Sequence, residues 1–183
     1  MVADILVPLT AVALAELGDK TQLSLLLLST KTKKHLHLLL GALLAFLVVD
    51  GTAILVCSYI SDIIPVKLLK ILSGIIFIIL GVLILKKNKA KEERIISLRN
   101  SFLSGFTLTF VTEWGDKTQI ASGAFVMKYN ALMVLIGTMT ALTLLSVMAI
   151  YLGKFISQKV DKKVMTKIAG IVFIVTGISF FLF

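Results

Sequence analysis

Hydrophobic and polar positions are grouped along the chain in long blocks. Each apolar block is at least about 20 residues long, which is the length that a helix needs to cross a bilayer. The six apolar runs cover residues 4–29, 36–60, 65–85, 99–127, 130–153 and 163–183. This pattern predicts an all-α integral membrane protein with six transmembrane helices.

A hydrophilic stretch, residues 86–98, divides the chain into two halves, residues 1–85 and 99–183. The halves align with each other, and residues 74–81 match residues 170–177 at an offset of 96. Three helices per half is an odd number, so the second half must enter the membrane with the opposite orientation. We therefore predict two inverted three-helix repeats joined by a linker, with a binding site where they meet at the midplane.

The composition excludes most soluble functions. Hydrophobic residues make up 58% of the 183 residues, charged residues make up 16%, and the mean hydropathy is +1.02. Soluble domains are about 45–50% apolar and about 25% charged, so no soluble catalytic domain is expected. A single cysteine, Cys57, excludes an internal disulfide and a cysteine-rich metal site. The net charge of +9 reflects membrane topology, and no nucleic-acid partner is expected.

The basic residues predict the orientation in the membrane. Fourteen of them lie on one predicted side, in residues 31–34, 86–99 and 154–167. The opposite side carries only Lys67, Lys70 and Lys128. Positively charged loops are retained in the cytoplasm. We therefore predict a multi-pass protein of the cell membrane with a cytoplasmic linker and both termini outside.

A seven-residue motif occurs twice, as ELGDKTQ at residues 16–22 and as EWGDKTQ at residues 113–119. Both copies lie near the middle of an apolar run. Ionisable residues at that depth are costly and usually functional, so we predict a cation site formed by both motifs. The predicted metal ligands are Glu16, Asp19, Gln22, Glu113, Asp116 and Gln119.

On a continuous helix, the Glu and Asp of each motif would share one face, with the Lys beside the Glu. The predicted supporting residues are Lys20, Thr21, Lys117 and Thr118. The two lysines either hold the carboxylates in place or occupy the site when the cation is absent. Gly18 and Gly115 either loosen the helix or allow two helices to cross closely.

The formal charge of the two motifs predicts an exchange reaction. Four carboxylates and two ammonium groups sum to −2, which one divalent cation or two protons would neutralise. Carboxylate and amide oxygens favour hard cations such as Ca²⁺, Mn²⁺ or Mg²⁺. The cation is expected as transported cargo, and no bound cofactor is expected.

A fifth intramembrane acid, Asp50, aligns with Ser146. Asp50 is either a proton acceptor or a hydrogen-bond partner of a Ser or Thr.

The duplicated Glu-x-Gly-Asp-Lys-Thr pattern resembles the transmembrane protein 165 family, which includes Golgi calcium/manganese exchangers. The resemblance covers essentially the whole chain, which looks like a short prokaryotic member. It implies a cation/proton antiporter that moves Mn²⁺ or Ca²⁺ out of the cytosol. It also implies that the binding acids are Glu16, Asp19, Glu113 and Asp116, supported by Thr21, Gln22, Thr118 and Gln119.

Three alternatives compete with a cation antiporter. A self-satisfied ion-pair network could fasten the halves together, but two acidic charges would remain uncompensated in the membrane. A six-span exporter of amino acids or other small solutes would need a partner for a substrate carboxylate. An intramembrane aspartyl protease needs one proton shared by two aspartates, and the lysine after Asp19 and after Asp116 opposes this. We therefore predict that the protein is not an enzyme.

Overall fold

A computed structural model describes residues 2–63, 65–86, 100–152 and 162–182, and all their regular structure is helical. The all-α prediction is confirmed for these residues. The helices are α1 (Val2–Glu16), α2 (Lys20–Ser29), α3 (His35–Ile63), α4 (Val66–Lys86), α5 (Ser101–Glu113), α6 (Lys117–Val126), α7 (Ala131–Val147) and α8 (Lys162–Leu182). A π-helical turn, Met148–Leu152, extends α7. Apart from Lys86, the predicted linker lies outside the described residues.

The first and fourth apolar runs are each broken at the motif. Helix α1 ends at Glu16 and α2 begins at Lys20, while α5 ends at Glu113 and α6 begins at Lys117. Of the two alternatives for the motif glycines, an opened helix or a close helix crossing, the structure shows the opened helix. The reason is the glycine in each break, which has a φ of 74° at residue 18 and 79° at residue 115. Glycine enters this left-handed region without steric cost and commonly ends a helix there.

Helices α4 and α8 pack through facing glycines and run in opposite directions. A methyl group on Gly81 would lie 2.7 Å from the carbonyl oxygen of Gly170, and one on Gly74 would lie 3.0 Å from that of Gly177. In each helix the two glycines are seven residues apart, a spacing that places them on one helix face and allows the backbones to approach closely. The rings of Phe77, Phe125 and Phe173 form the fully buried core beside this contact.

Helices from one half of the chain also pack against helices from the other half. Gly41 of α3 lies against the backbone of Phe102 and Phe106 in α5, and Gly137 of α7 lies against the backbone of Ile5 in α1. Close backbone approach at small residues is the usual way in which membrane helices associate. These contacts place the first turns of α1 and α5 against helices of the other half.

Gly41→Ala should destabilise the protein strongly, because the added methyl group would overlap the carbonyl oxygen of Phe102, a backbone atom that cannot rotate away. Overpacking typically costs about 1–3 kcal/mol, so we expect a clearly lower midpoint of thermal unfolding in detergent. Gly51→Ala on the same helix is the matched control. Its methyl group would meet only Leu47 Cδ1 at 4.0 Å, so equal effects at both positions would contradict the proposed α3–α5 contact.

Two of the described helical segments, His35–Ile60 and Ala131–Tyr151, are long and apolar enough to cross a membrane. The outward face of α3 carries exposed leucines at residues 40, 44 and 47, as expected for a surface in contact with lipid tails. The breaks shorten the helices of the first and fourth runs, so these runs do not form uninterrupted spans. The number of spans and the inverted repeat remain predictions.

Candidate functional site

The two helix breaks meet, and acidic side chains from both converge. Glu16 is the last residue of α1, Asp19 lies in the first break and Asp116 lies in the second. One carboxylate oxygen from each of these residues lies within 4.8 Å of the other two. We call Glu16, Asp19 and Asp116 the carboxylate cluster. Its members come from both halves of the chain.

Lys117 binds all three members of the carboxylate cluster. Its Nζ lies 2.9 Å from Glu16 Oε1 and 3.0 Å from Asp116 Oδ2, and it also donates to Asp19 Oδ2. A continuous helix would have paired Lys117 with Glu113, whereas its ion pairs here are with Glu16, Asp19 and Asp116. The helix break turns the Lys117 side chain towards the other half. The side chain of Lys20 lies outside the described residues.

The motif threonines hold the glutamates of the opposite motif. Thr118 donates to Glu16 Oε1, and Thr21 Oγ1 donates to Glu113 Oε1 at 2.5 Å. Both glutamates are almost fully buried, with 1% and 2% of their surfaces exposed. Glu113 is not a member of the carboxylate cluster, although the sequence predicted it as a ligand. Thr112, which the sequence analysis did not single out, lies 2.9 Å from Thr21 Oγ1.

The two motif glutamines brace the helix breaks. Gln22 Oε1 accepts a hydrogen bond from the Gly18 backbone N–H at 3.3 Å, and Gln119 Oε1 accepts one from Gly115 N–H at 2.7 Å. The amide of Gln119 also donates to the carbonyl oxygen of Val49 in α3 at 3.2 Å. The structure therefore places these amide oxygens on the backbone of their own break. Their role as metal ligands remains a prediction.

Asp50 lies on α3, beside the second motif helix, and only 1% of its surface is exposed. Its Oδ1 accepts a hydrogen bond from Ser122 Oγ at 2.9 Å, which fits the hydrogen-bonding interpretation. Its Oδ2 has no hydrogen-bond partner among the described residues. Ser122 was missed by the sequence analysis, but its position one turn after Gln119 on the same helix face was an available signal. A role for Asp50 in proton transfer remains a prediction.

Asp116 does not use its carboxylate to cap a helix, so the carboxylate can take part in the cluster. Asp116 is the N-cap residue of α6, yet its side chain makes no capping hydrogen bond. By contrast, Asn100 and Asn130 cap α5 and α7 with their side-chain oxygens. The carboxylate of Asp116 instead binds Lys117. Without a bound cation, the three carboxylates and this ammonium have a formal charge of −2, and the carboxylate oxygens are of the type that binds hard divalent cations.

Acidic residues at helix breaks within apolar helices are typical of proteins that transport ions across membranes. Residues 4–92 and 101–182 match the family described as divalent cation/proton antiporter GDT1. The chain therefore belongs to the GDT1 family of membrane antiporters and is a transporter and not an enzyme. The resemblance drawn from the duplicated motif is confirmed, and the protease alternative is rejected.

Full-length relatives support the family assignment. The chain is 31% identical to a Vibrio cholerae protein named "Putative manganese exporter", over 94% of this chain and 88% of that protein. It is 28% identical to a GDT1-like protein of Synechocystis, over 90% of each chain. It is 25% identical to a GDT1-like protein of Schizosaccharomyces pombe, over 90% of this chain and 84% of that protein. No solved structure matches the chain significantly.

Proposed function

We propose that this protein exchanges a divalent cation, Mn²⁺ or Ca²⁺, for protons and exports the cation from the cytoplasm by alternating access. The observation that carries the proposal is the carboxylate cluster, in which three acidic side chains from two helix breaks surround one positive charge. A cation bound there touches both halves, so a movement of one half against the other changes its exposure. Protons neutralise the carboxylates on the return step.

The proposed architecture is six spans arranged as two inverted repeats. It is supported by contacts that recur at equivalent positions. Gly41 packs on Phe102, and its repeat equivalent, Gly137, packs on Ile5. Thr21 of the first motif donates a hydrogen bond to Glu113 of the second, and Thr118 of the second motif donates one to Glu16 of the first. Inverted repeats of this kind commonly bind substrate between broken helices and expose it by rocking.

The proposed location is the cell membrane, with the linker in the cytoplasm and both termini outside. The support is the distribution of basic residues, of which fourteen lie on the predicted cytoplasmic side. Short loops rich in Lys and Arg stay in the cytoplasm during insertion. The predicted partners are therefore the lipid bilayer, the transported cation and protons.

Manganese is the preferred cargo in this proposal, and calcium is the second candidate. The Vibrio cholerae relative is named for manganese export, and both ions accept carboxylate oxygens as ligands. Mg²⁺ binds the same oxygens but gives up its water less readily. The match to a family of cation/proton antiporters argues against an exporter of amino acids or other small solutes.

The proposal is tested by flux measurements on the purified protein in proteoliposomes. Mn²⁺, Ca²⁺ and Mg²⁺ are supplied separately, with and without a pH gradient, and both the cation and the internal pH are followed. We expect Mn²⁺ or Ca²⁺ uptake that is accelerated by an opposing proton gradient and is accompanied by proton movement. Cation flux that is unaffected by the gradient would contradict proton exchange, and absence of flux for all three cations would contradict cation transport.

A further inference from the structure

The ammonium group of Lys117 lies where a transported cation would bind. It contacts one oxygen from each member of the carboxylate cluster, at 2.9 Å from Glu16 Oε1 and 3.0 Å from Asp116 Oδ2. Only 15% of its side chain is exposed. The arrangement gives the ammonium three acidic partners within one hydrogen-bonded group, from both halves of the chain. A surface lysine that pairs with a single acid has no such arrangement.

A divalent cation and this ammonium cannot use the cluster at the same time. Carboxylate oxygens bind Ca²⁺ at about 2.3–2.6 Å, so a bound ion must approach the oxygens that Lys117 already contacts. Two positive centres held by the same oxygens would repel each other strongly in a buried, poorly solvated position. Cation binding therefore requires the ammonium to leave.

We propose that Lys117 is a tethered substitute for the cargo. It occupies the carboxylate cluster when no cation is bound, it is displaced when the cation enters, and it returns when the cation leaves. This inference rests on the proposed transport function and adds an internal competitor to it. Lys117 affects cation binding by competing for the carboxylates and does not contact the cation, so it is a positioning residue.

The structure offers an alternative partner for the displaced ammonium. Glu113 lies four residues before Lys117, outside the carboxylate cluster, and interacts electrostatically with Lys117. Its Oε1 is held by Thr21. The flexible four-carbon stem of a lysine allows its charge to move while the backbone stays in place. The displaced charge therefore stays close to an acidic group in its own motif.

Two consequences follow for transport. First, a site that is occupied by its own ammonium binds the cation more weakly than the bare carboxylates would, because only the vacated fraction can bind. This promotes release on the far side of the membrane. Second, the ammonium neutralises one of the three carboxylates, so that two protons are enough to neutralise the cluster on the return step. A protein with uncompensated buried carboxylates would change conformation reluctantly. Lys117 therefore assists the return of the proton-loaded transporter.

Lys117→Met separates these consequences, because it removes the charge and keeps an unbranched side chain. We expect Mn²⁺ to bind the purified variant about tenfold more tightly or better, because the internal competitor is gone. In proteoliposomes, net proton-driven Mn²⁺ transport should fall about tenfold or more, because two protons no longer neutralise the three carboxylates on the return step. Exchange of internal for external radioactive Mn²⁺ should persist, since it does not require the protein to return without the cation.

Two further variants serve as controls. Lys117→Arg keeps the positive charge and should keep the weaker affinity of the unmodified chain. Lys128→Met removes a lysine outside the cluster, which lies over the Tyr129 ring, and should leave binding and flux unchanged. Unchanged or weaker Mn²⁺ binding by Lys117→Met would overturn the proposal, as would an equal loss of exchange and net transport. Either result would assign Lys117 to holding the helix breaks together.

Chemical restoration of the charge keeps the test valid if Lys117→Met fails to fold. Lys117→Cys is made together with Cys57→Ala, which removes the single native cysteine, and is then modified with an aminoethyl thiosulfonate reagent. The modification should restore the weaker binding and net transport, and failure to restore either would overturn the proposal. If the protein without any substitution transports no cation, the proposed function fails. If that protein transports the cation and the Lys117 variants bind and transport it equally well, only the inference about Lys117 fails.

Discussion

Replacing Glu16 and Glu113 together by glutamine should abolish proton-coupled cation transport. Glutamine keeps the size of the side chain and removes the charge that binds a cation or a proton. Breaking a buried, hydrogen-bonded charge pair costs about 2–5 kcal/mol, and about 1.4 kcal/mol is a factor of ten. We therefore expect the rate of Mn²⁺ or Ca²⁺ uptake in proteoliposomes to fall by about 100-fold or more.

Asp4→Asn is the matched control for this double variant. Asp4 is an acidic residue of the same helix as Glu16, but it lies about three turns away from Glu16. The Asp4→Asn substitution should therefore leave uptake nearly unchanged. Each single glutamine variant should also be measured, because Glu16 belongs to the cluster and Glu113 does not. We expect the larger loss of cation affinity from Glu16→Gln. Undiminished transport by the double variant would refute the site.

A series of substitutions at Gly115 should show that the left-handed turn is required. A Cβ atom at this position would meet no atom within 4 Å, so any penalty comes from the φ of 79°. For an ordinary residue this conformation costs about 1–2 kcal/mol, and asparagine tolerates it better. We expect uptake to decrease in the order Gly, Asn, Ala, Val, with a loss of about 5–30-fold at Ala and more at Val.

The same series at Gly51 is the control for general effects of side-chain size. Gly51 lies within the regular helix α3, where alanine is a better helix former than asparagine. At residue 51 the alanine variant should therefore be more stable to thermal unfolding than the asparagine variant, which is the reverse of the order expected at residue 115. If alanine at residue 115 supports faster transport than asparagine, the helix break is not needed for function.

The helical content was predictable from hydropathy because long apolar runs have few other stable structures in a membrane. The helix breaks were not predictable with certainty, because residues 16–22 lie in an apolar run that continues on both sides. Gly18 allowed two interpretations, close helix packing or an opened helix. The choice depends on partners supplied by the other half, such as the hydrogen bond from Thr118 to Glu16.

The chemistry of the candidate site was visible in the motif, but its connectivity was not. Local spacing on a helix pairs Lys117 with Glu113, whereas the structure pairs Lys117 with Glu16, which lies 101 residues away in the sequence. Contacts at that distance depend on the packing of whole helices, which periodicity does not reveal. Asp50 was recognised from its depth in an apolar run, but its partner Ser122 depends on how α3 meets α6.

The crossed hydrogen bonds between the motifs also limit how this protein can change in evolution. Thr21 serves Glu113, and Thr118 serves Glu16, so neither half contains a complete set of partners for its own glutamate. Under the proposed inverted-repeat architecture, a half-length ancestor would have needed a second copy of itself, inserted in the opposite orientation, to supply these threonines. After fusion of two such copies, a change in one motif would have to be matched by a change in the residues that it contacts in the other half.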